Sequence, residues 1–247
     1  MSKVQVAVSG AAPTPVSLIL WFKKIGLDIC ETYGMTENTA FSHSNCMGIK
    51  IGTVGMAWPE VETKLDENGE ILIRHKGMMI GYFKDPETTA AVFTQDGFLK
   101  TGDLGAIDHE GFLAITGRVK DQFKTDKAKF IAPAKIEMML LANADIDQVC
   151  VVGTGIPQPI ALVVLSAAAK TKPKEEIIRS LTKTIGEVNP SLEDYECLKK
   201  VLVMKEPWTI ENNLLTPTLK VKRNVLEGIY VSRYPQWYAE PGLILFE

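Results

Sequence analysis

Valines alternate with other residues over positions 3–9 (Lys-Val-Gln-Val-Ala-Val-Ser), the period of a strand, and Gly10-Ala11-Ala12-Pro13 breaks the run. Thr14 then stands as a helix N-cap with Pro15 in the first helical position, and Leu18, Trp21, Phe22 and Ile25 fall on one helical face before Gly26. Residues 27–32 predict a second strand, so the chain opens as strand, helix, strand. The polar run Tyr33-Gly34-Met35-Thr36-Glu37-Asn38-Thr39 follows at the carboxyl end of that strand, where ligand sites of α/β sheets concentrate.

From 52 to 117 the pattern changes to short apolar runs at 61–65, 70–74 and 112–116. Asn68-Gly69, Asp96-Gly97 and Glu110-Gly111 cut these runs as hairpin turns do, which predicts a β-rich subdomain with one helical insert at 86–93. After Lys120 the spacing predicts a helix over 133–141 with Ile136, Met139 and Leu140 inward, and strands at 148–152 and 160–165. A longer helix from Pro173 is expected to bury Ile177, Ile178, Leu181, Ile185 and Val188, ahead of a strand at 198–204. The tail from Lys205 reads as loop, with a helical turn at 224–228. The fold class is therefore α/β and α+β: a large-lobe α/β sheet segment and a β-rich subdomain (1–119), then a small α+β lobe (120–247).

Composition narrows the chemistry. A chain of 247 residues with 46% hydrophobic content can bury real cores, and a net charge of −3 without a long basic run argues against nucleic acid or an anionic membrane as the main partner. Cys30, Cys46, Cys150 and Cys197 lack metal-ligand spacing and read as reduced core thiols of a cytoplasmic protein. No run approaches a membrane span, and the first residues lack a signal peptide's apolar stretch. His43, His75 and His109 are scattered and take no catalytic assignment.

Polar groups gather where short strands meet turns. Tyr33-Gly34-Met35-Thr36-Glu37, Thr101-Gly102-Asp103, Gly117-Arg118-Val119-Lys120-Asp121 and Thr216-Pro217-Thr218-Leu219-Lys220 stand in that order, with Gly69-Glu70-Ile71-Leu72-Ile73, Gly81-Tyr82 and Pro86-Glu87-Thr88 between them. In wording and order they resemble the adenylate-forming (AMP-binding) superfamily, in particular the carboxy-terminal half of acyl-CoA synthetases of the long-chain fatty acid branch. That resemblance implies joining a fatty acid or other carboxylate to AMP at the expense of ATP, then transferring the acyl group to coenzyme A.

It also implies roles. Thr36 would offer a hydroxyl to a phosphate oxygen, and Glu37 a carboxylate to Mg²⁺. Tyr33 would offer a ring to adenine, with Gly34 beside it and the small residues Gly10, Ala11 and Ala12 lining the nucleotide pocket. Asp103 would take the ribose hydroxyls, and Arg118 a ribose or phosphate oxygen; a structural Asp103–Arg118 ion pair is the other reading, and the two are compatible. Lys220 matches the catalytic lysine, with Lys222 the neighbouring register. Lys120 matches the hinge, against the reading of a simple linker, and Lys127 and Lys129 lie in a loop expected to meet coenzyme A.

Two departures bear on activity. The Ser/Thr/Gly-rich loop ending in Pro-Lys that wraps the ATP phosphates in the family is not found in the sequence, so the chain reads as truncated and without turnover alone. Asp126 and Ala128 stand where relatives tend to have serine and glycine. A catalytically silent structural or regulatory module that self-associates through an exposed apolar face is the competing reading from another class. A peptide-synthetase adenylation domain or a luciferase-like enzyme is the alternative within the superfamily.

Overall fold

The computed structural model describes residues 3–10, 14–46 and 48–247. The chain divides into two compact units, Met1–Lys120 and Asp121–Glu247. In the first, β1 (Ala7–Ser9), α1 (Val16–Lys24) and β2 (Ile29–Tyr33) form a strand–helix–strand crossover, with β1 and β2 parallel and Val8 opposite Cys30. Two short strands, β3 (His43–Ser44) and β4 (Met56–Ala57), continue this sheet antiparallel in the order β1-β2-β3-β4. The expected first strand is thus confined to its last three residues.

Two sequence expectations for α1 are corrected. Pro15 occupies the cap position, and Thr14 hydrogen-bonds through its hydroxyl to that of Ser9 at 2.6 Å instead of capping the helix. The inward residue is Ile19, with Phe22 half-buried, whereas Leu18, Trp21 and Ile25 are exposed. A nine-residue helix lying on β2 presents only one narrow stripe to it, and the remaining apolar residues project away.

The second sheet of this unit is an antiparallel meander: β5 (Glu62–Leu65), β6 (Glu70–Arg74), β7 (Leu99–Ile107) and β8 (Leu113–Arg118), with α2 (Pro86–Val92) inserted before β7. The Asn68-Gly69 and Glu110-Gly111 turns are each organised by an aspartate upstream, and the Asp96-Gly97 turn by Thr94, whose hydroxyl accepts from Phe98 N at 2.9 Å. Asp66 Oδ1 accepts from the amides of Asn68 and Glu70 at 2.8 Å, and Asp108 Oδ1 accepts from Glu110 and Phe112 at 2.9 and 3.0 Å. Asp85 caps α2 by accepting from the Thr88 amide at 2.9 Å, with Pro86 in the first turn. Ile71, Ile73 and Leu113 form the core, against which Tyr33, Val61 and Ile115 pack.

In the second unit a two-stranded ribbon, β9 (Phe123–Lys124) with β10 (Phe130–Ile131), precedes α3 (Pro133–Leu140), β11 (Ile146–Val152), β12 (Ile160–Leu165), α4 (Lys174–Val188) and β13 (Lys200–Val203). Then come α5 (Arg223–Tyr230), α6 (Tyr234–Ala239) and β14 (Ile244–Phe246). The sheet order is β11-β12-β13-β14, with β11 antiparallel to β12 and the other pairs parallel.

Strand periodicity sends Val149, Val151, Ala161, Val163, Val201 and Val203 to one face, under α3 and α4. Cys150, Val152, Ile160, Leu162, Val164 and Leu202 go to the other, under Trp208, Leu226, Tyr234 and Trp237. A sheet covered on both faces needs apolar side chains at successive positions, which is why these strands read as continuous apolar runs.

The tail is therefore not loop: it supplies the second cover and an edge strand. Leu226, Tyr230, Tyr234 and Trp237 carry helical spacing, but Gly228 and Pro235 interrupt the local pattern, and packing on the sheet overrides them. Ile178, expected inward, lies at the exposed margin of α4 at 36%. The cysteines also depart from a uniform core role, since Cys46 is exposed and Cys197 half-buried; all four are free thiols.

Candidate functional site: a carboxylate held at the strand ends of the first unit

β2 runs out at Tyr33 into a loop whose shape its own backbone fixes. Residues Thr36–Asn38 make one 3₁₀ turn, Met35 N donates to Asn38 Oδ1 at 2.8 Å, and Ala40 N returns to Met35 O at 2.8 Å. Thr39 and Ala40 both take left-handed φ of 55°. The chain doubles back so tightly that a Cβ on Gly34 would lie 2.5 Å from the carbonyl carbon of Ala40, so glycine is required there. From outside the loop, Met79 N donates to Glu37 O at 2.7 Å and the Tyr82 hydroxyl donates to Glu37 Oε1 at 2.9 Å. Thr36 is left exposed and Glu37 half-exposed.

Asp103 sits on β7 directly opposite Arg118 on β8. Its Oδ1 accepts from Arg118 Nε and its Oδ2 from the Tyr33 hydroxyl, each at 2.8 Å. Beneath it, buried Thr101 donates its hydroxyl to Ile71 O at 2.8 Å and accepts from the Asp103 amide at 3.1 Å. Burial first, then the Asp103 charge, push the Tyr33 phenol far above its ordinary value, so it stays a neutral donor. The Asp103 side chain is 15% exposed and that of Arg118 45%. A carboxylate with both oxygens held but lone pairs remaining, reached from solvent on one side, is suited to accept hydroxyl donors.

Tyr33, Asp103 and Arg118 are thus brought together, with Thr36 and Glu37 on the loop that leaves Tyr33. Gly10 lies by the end of β2, where a Cβ on it would fall 2.9 Å from Thr32 Oγ1; Ala11 and Ala12 lie outside the described residues. Lys120 is exposed in the helical turn Val119–Asp121, at the junction of the two units.

In the second unit, Lys127 and Lys129 stand exposed on the β9–β10 turn, where Lys129 N donates to Thr125 Oγ1 at 3.2 Å. Ala128 in that turn holds a left-handed φ of 59°, a conformation that favours glycine. Lys220 is exposed at the end of a turn in which Thr216 N donates to Lys220 O at 2.8 Å and Lys220 N to Thr216 Oγ1 at 3.0 Å.

Sequence reasoning overlooked two supports. Tyr82 was only part of a motif, and its bond to Glu37 has no local signal. Arg223, which took no assignment from the sequence, is largely enclosed, pairing with Glu137 at 2.5 Å and donating to Val151 O, while Glu137 Oε1 also accepts from Val151 N at 2.7 Å. This buried pair fixes the start of α5, three residues beyond Lys220, to α3 and β11.

Grooves of about 790 Å³ (lined by Gln158, Ile185, Cys197 and Lys200, among others) and about 460 Å³ (beside Asn143 and Ser180) lie in the second unit and include none of the sequence-predicted residues. Among the described residues no group of three or more His, Cys, Asp or Glu is placed to hold a metal, and no helix is long and apolar enough to cross a membrane.

The model of AMP-binding enzymes matches residues 1–83, and that of the AMP-binding enzyme C-terminal domain matches residues 120–240. This chain belongs to the AMP-binding enzyme superfamily. Within it, the chain is 34% identical to a long-chain-fatty-acid–CoA ligase of Mycobacterium bovis, over 92% of this chain and 41% of that protein. It is also 34% identical to long-chain-fatty-acid–CoA ligase 5 of Mus musculus, over 96% of this chain and 39% of that one. The chain thus spans about 40% of the length of these relatives and corresponds to their carboxy-terminal portion. Among solved structures, the A domain of a carboxylic acid reductase from Segniliparus rugosus, in complex with AMP and a co-purified carboxylic acid, superposes with a TM-score of 0.76. It shares 27% identity, over 96% of this chain and 40% of that one. The mixed α/β architecture with several sheets is that of the carboxy-terminal part of an adenylation domain.

Proposed function

We propose that these residues form the AMP grip and the lysine-bearing lobe of a ligase that activates a long-chain fatty acid as its adenylate and passes the acyl group to coenzyme A. The observation that carries this reading is the Asp103 carboxylate, held on both oxygens by Tyr33 and Arg118 at strand ends beside the rigid loop of Thr36 and Glu37. Asp103 accepts the ribose hydroxyls, Thr36 donates to a phosphate oxygen, and Arg118 neutralises charge nearby. A magnesium ion, which needs only one or two protein carboxylates and otherwise takes phosphate and water oxygens, would rest on Glu37 and screen phosphate charge. Lys220 stabilises the charge that develops as the carboxylate meets the α-phosphate, and Lys120 is the joint on which the second unit turns. Lys127 and Lys129 face the coenzyme A phosphates.

The sequence contains no Ser/Thr/Gly-rich loop ending in Pro-Lys, so the property assigned to these residues by themselves is binding of AMP or an acyl-adenylate, without ATP turnover. Calorimetry with AMP tests it. Measurable heat that disappears in Asp103→Ala, with ATP–pyrophosphate exchange at background, is expected; heat undiminished in that variant would place the nucleotide elsewhere.

One further observation favours an associating role. Val6, Val8, Trp21 and Ile25 are 67%, 57%, 53% and 47% exposed on β1, α1 and their flanks, an apolar surface suited to cover by another polypeptide surface. Light scattering across a concentration series, with Trp21→Glu as the control, decides whether this face self-associates.

A further inference from the structure

We propose that Cys30 and Cys46 are a cross-strand dithiol that closes to a disulfide between β2 and the end of β3. The register carries the geometry. Thr32 pairs with Ser44 and Tyr33 with His43, and the same register carried two residues beyond the end of β3 brings Cys46 alongside Cys30. Beside them, Asn45 N donates to Glu31 O at 3.0 Å and Glu31 N donates to Asn45 Oδ1 at 2.7 Å, which pins Asn45 against Glu31 where the chain begins to turn, with Gly48 N donating to Asn45 O at 3.2 Å. Cys30 and Cys46 are the next residues outward from Glu31 and Asn45, and their side chains are in contact. Disulfides span Cα separations of ~4.4–6.8 Å, and from side chains already in contact closure needs little movement of the backbone.

The two thiols differ in access. Cys46 is exposed, while Cys30 is buried, with its other flank covered by β1 through Val8. Burial and a side-chain contact with Cys46 push the Cys30 thiol up to about 11. Cys46 is thus the sulfur that a solution reagent reaches, and Cys30 the one that resolves.

With a small-molecule disulfide as oxidant, the Cys46 sulfur, its proton released to solvent, attacks one sulfur of the reagent. The reagent's S–S bond breaks and one small thiol leaves. The Cys30 sulfur, losing its proton to solvent, then attacks Cys46 Sγ, forms the protein S–S bond and expels the second small thiol. Two protein thiols are oxidised and one reagent disulfide is reduced to two thiols. Because Tyr33 lies three residues beyond Cys30 on the same strand, the bond tethers the strand that delivers the Tyr33–Ala40 loop.

The test treats the folded chain with oxidised glutathione and maps its peptides without reduction. Loss of two of the four thiols, a Cys30–Cys46 linked peptide and reversal by dithiothreitol are expected. Cys30→Ser should accumulate a stable glutathione adduct on Cys46, and Cys46→Ser should leave Cys30 reduced. Cys46 is exposed, so the second variant keeps the fold, and with the wild-type peptide map it decides the matter even if Cys30→Ser does not fold. A wild-type chain that holds glutathione on Cys46 while Cys30 stays free, or that links only between molecules through Cys46, overturns the proposal.

Discussion

Both units contain arginine–carboxylate pairs, and two of these, Glu137–Arg223 and Asp103–Arg118, have opposite settings. Glu137 and Arg223 are both largely enclosed, with side chains 17% and 16% exposed, and their remaining bonds go to the backbone of β11. In the Asp103–Arg118 pair the arginine is 45% exposed, and the carboxylate shares itself with a tyrosine at a strand end. Around the first pair, the sheet is packed on both faces, with Ile160, Ala161, Leu162 and Val163 fully buried. Around the second, a three-residue core supports one face of a meander. A charge pair enclosed in a doubly covered sheet is structural, because removing one partner strands the other without water. A pair at a strand end keeps solvent on one side, and its remaining lone pairs are free for a ligand.

The largest test of this contrast is Glu137→Ala, which leaves the Arg223 charge and the Val151 amide unpaired in the interior. A cost of ~3–5 kcal/mol to the second unit is expected, enough to unfold it at moderate urea, followed by fluorescence of Trp208 and Trp237. Unchanged urea stability would show that the pair is no more structural than its counterpart.

pH separates the units next. Burial lowers His43 from 6.5 to about 4, so the fold holds it neutral. The stability this confers is complete above 6.5 and is lost as pH falls from there towards 4, with a slope approaching about 1.4 kcal/mol per pH unit. His43, His75 and His109 all precede Lys120, and the second unit has no histidine. Hydrogen exchange by mass spectrometry should therefore show peptides of the first unit losing protection across this window while those of β11 and β12 hold. His43→Gln should flatten the profile. The second unit responds lower: Asp145, held below 3.8 by bonds from Lys172 and Ser180, adds stability above that value and loses it as pH falls beneath it.

Tyr33→Phe removes one donor from Asp103 and leaves the ring in place, for an expected loss of ~0.5–1.5 kcal/mol in the first unit by thermal unfolding. The smallest effect belongs to Arg118→Met, a half-exposed partner whose loss should cost no more than about 1 kcal/mol of stability. Its mark should fall on AMP affinity instead. If stability dropped as far as in Glu137→Ala, the distinction between the two pairs would fail.

Local patterns carried most of the second unit into view. The runs at 148–152 and 160–165 and the Ile177, Leu181, Ile185 and Val188 spacing need no partner to be recognised, since period and apolarity coincide. The tail was missed for the converse reason. Pro235 and Gly228 obscure its helices, and β14 is three residues long, an edge strand that exists because β13 offers it hydrogen-bonding groups. In the site, Asp103 and Arg118 stood out as polar groups at strand ends, and Thr36 and Glu37 as members of a turn. That Tyr33 donates to Asp103 across 70 positions of sequence has no local trace.

What the sequence alone determined is the order of elements, the superfamily and the identity of the polar groups, because period, turn residues and motif spacing are properties of neighbouring residues. Tertiary structure decided which apolar residues are covered, as with Ile19 in place of Leu18, Trp21 and Ile25. It also decided which arginine is enclosed and which stays wet, and that Gly34 is squeezed against Ala40. Each of these depends on what another segment brings alongside, and burial and register are set only once the segments meet.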